Sequence, residues 1–356
     1  MSGDSLGRIF RVTTFGESHG PGLGGVVEGC PAGVPLNEDI IQKELDRRRP
    51  GQGPASTLRK EGDRVSLLSG VFEGRTTGTA IGFYIANEDQ RSRDYSAIKD
   101  IYRPGHGDMT YDAKYGFRDY RGGGRSSGRE TASRVAAGAV ARAFLGMTGI
   151  NVLAFTAMLG GIPAGFKSSQ EIFNNAFACP DPEVVPAWEA LVKECRKEGD
   201  SLGGIVEIRA DNVPAGLGEP VFDKLDARLA YALMGVGAVK GVEIGRGFGV
   251  AGIRGSENND PLTRDGFVSN NSGGILAGIS SGQTLTARVA VKPIPSIARA
   301  QKTITRQGEE TEINVKGRHD VSAIPRIVPV LEAMFSLVLA DMYLLHRARK
   351  DFTQTF

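Results

Sequence analysis

Short apolar, β-branched runs bounded by glycine recur along this chain. Gly25–Glu28, Val65–Leu68, Ala80–Ile85, Gly204–Ile208 and Thr286–Val291 each have the length and the punctuation of a strand. Three stretches carry a helical pattern instead. Asn37 can cap a helix whose first turn holds Glu38 and Asp39 and whose last turn holds Arg47, Arg48 and Arg49, with Pro50 as its stop. Ser127-Gly128-Arg129-Glu130 has the spacing of a capping box opening a second helix, rich in alanine and glycine and so able to pack closely. The third, from about Pro325 to Arg347, is apolar most of the way round, which predicts a buried helix. Buried helices beside glycine-bounded strands predict an α+β layered fold, helices inside and sheets outside.

The pattern also echoes itself. Leu23–Glu28 returns as Leu202–Glu207, and Ser69-Gly70-Val71 with Gly74 and Thr76 returns as Ala277-Gly278-Ile279 with Gly282 and Thr284. His106 loosely matches His319. The matches keep their order, which predicts a single domain of two pseudo-repeated halves, about 1–150 and 200–350, with a ligand site between them.

Composition narrows the class. A chain of 356 residues, 40% hydrophobic and 24% charged, is that of a folded protein. A net charge of +2 supplies no global field for nucleic acid or anionic membrane. Arginine outnumbers lysine 30 to 13, and the planar guanidinium fork suits carboxylate and phosphate. Cys30, Cys179 and Cys195 are odd in number, far apart and without a CxxC pair, which argues against a disulfide framework and against zinc. Glu332 and Asp341 interrupt the most apolar stretch, so a core helix is expected there rather than a membrane span. The N-terminus lacks an apolar leader segment, and the expected location is the cytoplasm.

Candidate chemistry sits in the glycine-rich loops. Gly16-Glu17-Ser18-His19-Gly20 and Arg103-Pro104-Gly105-His106-Gly107-Asp108 each place an imidazole between small residues, where it can face a ligand and exchange a proton near neutrality; a structural loop histidine is the alternative. Tyr120 to Glu130 joins four glycines, three of them consecutive, two serines and three arginines ahead of a helix, physically a phosphate cradle, although neither a Walker A sequence nor a Rossmann fingerprint. Lys292-Pro293-Ile294-Pro295-Ser296 is a stiff extended segment, and Gly317-Arg318-His319-Asp320 sets a cation, an imidazole and a carboxylate side by side. His346 is expected on the surface.

Together these stretches, with Asp46–Gly51, Asp119–Arg134, Gly241–Gly245, Gly273–Ile275 and Lys316–Asp320, resemble the chorismate synthase family over nearly the whole chain. The resemblance implies a β-α-β sandwich with central helices between antiparallel sheets, assembled as a homotetramer. It implies a lyase of the shikimate pathway to aromatic amino acids, which makes chorismate from 5-enolpyruvylshikimate 3-phosphate by 1,4-anti elimination of phosphate and needs reduced FMN (FMNH2). Some members take reducing power from NADPH. By the same resemblance His19 protonates the departing phosphate, His106 lies near flavin N1 and Asp320 near flavin N5, with Ser18 and Ser127 as polar helpers. Arg125, Ser126, Ser127, Gly237, Ala238, Ala277, Lys292, Pro293, Ile294, Pro295, Ser296 and Arg318 would hold FMN. Arg48, Arg129 and Arg134 would bind substrate or NADP, and no metal is implied.

One departure stands out: Gly51-Gln52-Gly53-Pro54 has proline where the family usually carries an arginine, and Arg59 or Lys60 is the expected substitute. Two other classes can be separated by experiment. A flavin oxidoreductase would consume NADPH without the shikimate substrate. An RNA-binding protein would need a basic face and stacking aromatics that this chain lacks.

Overall fold

The computed structural model describes residues 3–51, 53–56, 62–88, 99–314 and 320–349. The first sheet contains β1 (Ser5–Leu6), β2 (Arg11–Gly16), β3 (Gly22–Glu28), β4 (Val65–Leu67) and, after the hairpin of β5 (Val71–Phe72) and β6 (Arg75–Thr76), β7 (Ile81–Ala86). The second contains β8 (Asn151–Leu159), β9 (Ile162–Pro163), β10 (Gly204–Asp211) and β11 (Val239–Ile244). It is completed by β16 (Leu285–Val291), which follows the hairpins β12 (Leu262–Thr263) with β13 (Gly266–Phe267) and β14 (Ile275–Leu276) with β15 (Ile279–Ser280). A last hairpin joins β17 (Gln301–Ile304) to β18 (Glu310–Ile313). The helices are α1 (Glu38–Arg48), α2 (Asp108–Tyr115), α3 (Thr131–Met147), α4 (Val185–Lys197), α5 (Leu225–Met234), the four-residue α6 (Gly255–Asn258) and α7 (Ile324–Arg349).

Both five-stranded sheets are antiparallel, with strand orders β1-β2-β3-β7-β4 and β11-β16-β10-β8-β9. Helix α3 packs on β2 and β3, α7 packs on β8 and β10, and the two helices pack on each other, so the helical layer lies between the sheets. The chain path repeats. Strands β2, β3, β4 and β7 run with α1 after the second strand and α3 at the end; β8, β10, β11 and β16 run with α5 and α7 in the same places. The echoed peptides fall on equivalent strands: Leu23–Glu28 lies in β3 and Leu202–Glu207 leads into β10. The second set of strands starts at Asn151, and α4 is inserted between its first two strands.

Local sequence explains the helix ends. Asn37 Oδ1 accepts from Ile40 N at 2.9 Å, and Arg49 is extended (φ −57°, ψ 152°), as a residue before proline must be. The capping box at Ser127 is corrected. Its hydroxyl accepts from Arg129 N within a 3-10 turn, Gly128–Glu130, and the α-helix starts only at Thr131. The Glu130 carboxylate is drawn instead to Arg134 Nε, 3.0 Å away.

Helix α7 is long and apolar enough to cross a membrane, but 89% of its apolar window is buried inside the protein. Its two acidic residues find partners there, one in backbone N–H groups and the other in ion pairs. Asp341 accepts the backbone N–H groups of Arg8, Ile9 and Phe10 at 2.8 to 3.0 Å, fastening the N-terminal segment to the core. Glu332 lies 2.7 Å from Arg47 and 3.5 Å from Arg142; burial pushes its carboxyl above the usual range, against the pull of these two cations. The α3–α7 crossing depends on Gly138: a β-carbon there would fall 2.2 Å from Ala333 Cβ. His346, expected on the surface, is partly buried at the far end of α7, its ring against Gly216.

Candidate active site

The loop between β2 and β3 carries Ser18 and His19, and the turn Gly122-Gly123-Gly124 closes over it. All three glycines have positive φ (64°, 86° and 52°), a succession that side-chain-bearing residues resist. A β-carbon on Gly122 would lie 2.5 Å from His19 Cδ2, 2.6 Å from its Nε2 and 3.0 Å from Ser18 Oγ. Glycine at 122 is therefore a requirement of close packing, not of local chain flexibility alone. It lets a second backbone press against the ring, and His19 is only 7% exposed. Ser18 Oγ is buried with no hydrogen-bond partner among the described residues, a polar atom in want of a ligand. Asp119 sits nearby: burial would raise its carboxyl, but hydrogen bonds from Arg121 and the neighbouring His19 hold it below the usual range.

Asn87, just past β7, ties this loop to the arginines. Its Nδ2 donates to Glu17 O (2.9 Å) and Gly20 O (2.8 Å), while its Oδ1 accepts from Arg129 Nε (3.0 Å). Arg129 is also ion-paired with Asp63. Arg48 reaches the same carboxylate from α1, with Nη1 3.1 Å from Asp63 Oδ2, and donates to Thr131 Oγ1 (3.1 Å) and Gly128 O (2.6 Å). Burial, with the nearby Arg326, lowers Arg48 to a pKa of about 10, so it remains a cation at neutral pH. Arg326 in turn donates to Arg48 O (3.4 Å) and pairs with Asp320 at 2.5 Å, and Ser56 Oγ donates to the other Asp320 oxygen at 3.4 Å.

On the opposite side of the glycine turn lies His106. Its Nδ1 is 3.0 Å from Pro104 O and must donate there, which leaves Nε2 to accept from Ser296 Oγ at 2.8 Å. Burial, with Arg103 beside it, lowers His106 to a pKa of about 4. The ring is thus neutral at physiological pH, not poised near neutrality. Arg103 grips Asp108 through two side-chain bonds of 2.8 Å, and that pairing holds Asp108 down despite its burial. Lys292 Nζ donates to Gly105 O (2.9 Å), and Pro295 packs where a Gly105 side chain would be. Arg103 approaches Gly123, and Ser126 approaches Gly107, which joins the His106 loop to the glycine turn.

The structure thus links Ser18, His19, Ser127, Arg48, Arg129 and Asp320 on one side to His106, Ser126, Lys292, Pro295 and Ser296 on the other, through one turn. Ala238 joins the second group, its carbonyl accepting Lys292 N at 2.9 Å. Pro293 and Ile294 lie in the same segment, with Ile294 O accepting from Ser201 Oγ. Gly237 borders open space, and Arg134 reaches toward Gly235 at the end of α5. Arg125 folds back onto Asp4, Thr14 and Gly16 O. Ala277 sits in the β14–β15 turn against the start of α5, where Gly278 O accepts from Leu225 N. Arg318, Arg59 and Lys60 lie outside the described residues. Beside Pro54, Arg196 of α4 donates to Pro54 O and Ser56 O.

Asp63, Asn87 and Arg326 were missed by sequence reasoning. Only Arg326 left a signal: a cation in the first turn of an apolar helix opposes the helix dipole and calls for a local partner. Asp63 and Asn87 are ordinary polar residues flanking strands.

The geometry agrees with what this chain is similar to. A sequence profile described as chorismate synthase matches residues 10–344. The chorismate synthase of Maridesulfovibrio salexigens is 65% identical over 98% of this chain and 99% of its own length, and that of Oleidesulfovibrio alaskensis is 64% identical over 98% of each. A crystal structure of a chorismate synthase superposes with a TM-score of 0.77 at 34% identity, covering 98% of this chain and 95% of that one. A chain matched along its whole length in sequence and fold, with two histidines meeting an arginine cluster across one glycine turn, belongs to the chorismate synthase family.

Proposed function

We propose that this enzyme converts 5-enolpyruvylshikimate 3-phosphate to chorismate with reduced FMN as its required cofactor. The C–O bond to phosphate and a ring C–H bond break, a C=C bond forms, and phosphate and a proton leave. The observation that carries this reading is that Asn87 ties the loop holding His19 to the buried guanidinium of Arg129, which shares Asp63 with Arg48. A proton donor beside paired cations suits a phosphate leaving group. His19 protonates that phosphate, while Arg48, Arg129 and Arg134 bind the anionic substrate. Ser18 offers its buried, unpartnered hydroxyl to the bound groups.

The residues about His106 fit a flavin with a phosphate tail: a lysine and a serine on the stiff 292–296 segment, the open edge at Gly237, and the left-handed backbone of Ala238 (φ 73°). Reduced FMN, when bound, lends electron density to the substrate ring. Neutral His106 is prepared to respond to charge at that corner, because an anion bound nearby raises its pKa and lets Nε2 take up a proton. Asp320, steadied by Arg326 and Ser56, would supply a carboxylate to accept or hold a proton when the flavin is bound.

We place the enzyme in the cytoplasm as a homotetramer. Large apolar side chains left exposed on the single chain, Phe222, Phe117 and Phe248 foremost, support assembly. Anaerobic incubation with 5-enolpyruvylshikimate 3-phosphate tests the reaction. Inorganic phosphate should appear only when reduced FMN is present, and equal release without flavin would overturn the assignment.

A further inference from the structure

Asp63 has no part in the proposed reaction, yet it is among the most deliberately placed side chains in the molecule. Its carboxylate is fully buried. Its backbone is left-handed (φ 45°), which aspartate tolerates better than most residues. Arg48, from α1, and Arg129, from the turn before α3, meet on its two oxygens: Arg48 on Oδ2 and Arg129 on Oδ1. Two guanidiniums from different elements would repel each other if brought together without a shared anion. Each is also fixed from behind, Arg48 by Thr131 and Gly128 O and Arg129 by Asn87.

We propose that Asp63 is a positioning residue for the anion subsite. It gathers Arg48 and Arg129 with their forks converging. As an internal carboxylate it also competes with an incoming phosphate or carboxylate for the same guanidinium edges. This inference rests on the proposed function only for the identity of the substrate. The convergence of both arginines on Asp63 stands without it.

The test is Asp63→Asn, which preserves size and tolerance of the left-handed backbone while removing the charge. Inorganic phosphate is the probe, titrated by calorimetry, with thermal unfolding as a check on folding. Removing one negative charge beside the cations should tighten phosphate binding by roughly 5- to 30-fold. Turnover should fall by roughly 10-fold or more as the arginines lose their common anchor. Asp63→Glu, whose extra methylene moves the charge, should not restore turnover. A merely structural role would weaken phosphate binding and turnover together. Unchanged or weaker phosphate affinity in folded Asp63→Asn overturns the proposal, as does turnover at the parent level.

If that variant does not fold, the wild-type chain carries the test. The guanidinium 15Nε resonances of Arg48 and Arg129, assigned with Arg48→Lys and Arg129→Lys, should shift together as phosphate is added, and a titration that moves neither overturns the proposal. If the parent enzyme failed to release phosphate from the shikimate substrate, the functional reading would fall while the phosphate titrations still decided the role of Asp63.

Discussion

At the scale of single residues, the two histidines differ more than their similar glycine surroundings suggest. His19 is pressed against Gly122 and coupled through its loop to the arginines. His19→Ala should cut turnover by roughly 10²- to 10⁴-fold, the range for a lost acid group, while the unfolding temperature stays close to that of the parent. His106 is a neutral ring held between a carbonyl and a serine, and its pKa of about 4 has a consequence for stability. An unfolded histidine takes a proton near 6.5, the folded one only near 4. Between those values the unfolded chain holds more protons, so stability is complete above about pH 6.5 and declines as the pH falls toward 4. Thermal unfolding across that window should show the slope, and His106→Gln should flatten it. The glycine-flanked motif pointed to both rings but not to their protonation, because desolvation and Ser296 come from tertiary contacts.

At the scale of elements, the close approach of α3 and α7 governs how the sheets are spaced. Gly138→Ala raises intrinsic helix propensity, yet its methyl would fall within 2.2 Å of Ala333 Cβ. Overpacking should dominate, with a loss of about 1–3 kcal/mol in denaturant unfolding. Ala333→Gly in the same chain should recover part of it, and full stability of the single variant would show that the helices can separate without cost. Glu332 makes the complementary case. Glu332→Ala removes the buried partner of Arg47 and Arg142, which then keep only Glu44 as an acidic partner among the described residues, and should destabilise by about 1–3 kcal/mol. The apolar periphery of α7 was legible in sequence. The partners of its two acidic residues were not, since they come from α1, α3 and the N-terminal segment, far away along the chain.

At the scale of the whole molecule, exposed apolar side chains and a repeated chain path frame the remaining prediction. Phe222 is 95% exposed and Phe248 80% in the single chain, more than an isolated soluble protein readily leaves to water when such residues cluster. If the proposed assembly uses this surface, the double variant Phe222→Ser, Phe248→Ser should shift sedimentation toward smaller species than the parent; an unchanged distribution would place the interface elsewhere. Of the strands, β3, β4, β7, β10 and β16 were legible in the sequence alone, with the helices α1, α3 and α7, the echo between halves and the two histidine loops. Those features follow from local backbone preference and hydrophobic period, which are written in neighbouring residues. Only tertiary contacts bring Asp63 and Asn87 to the predicted arginines, make His106 neutral and cover His19. These outcomes depend on burial and on pairings between distant segments. The same distant pairings make a site out of loops that, singly, are only glycine, serine and arginine.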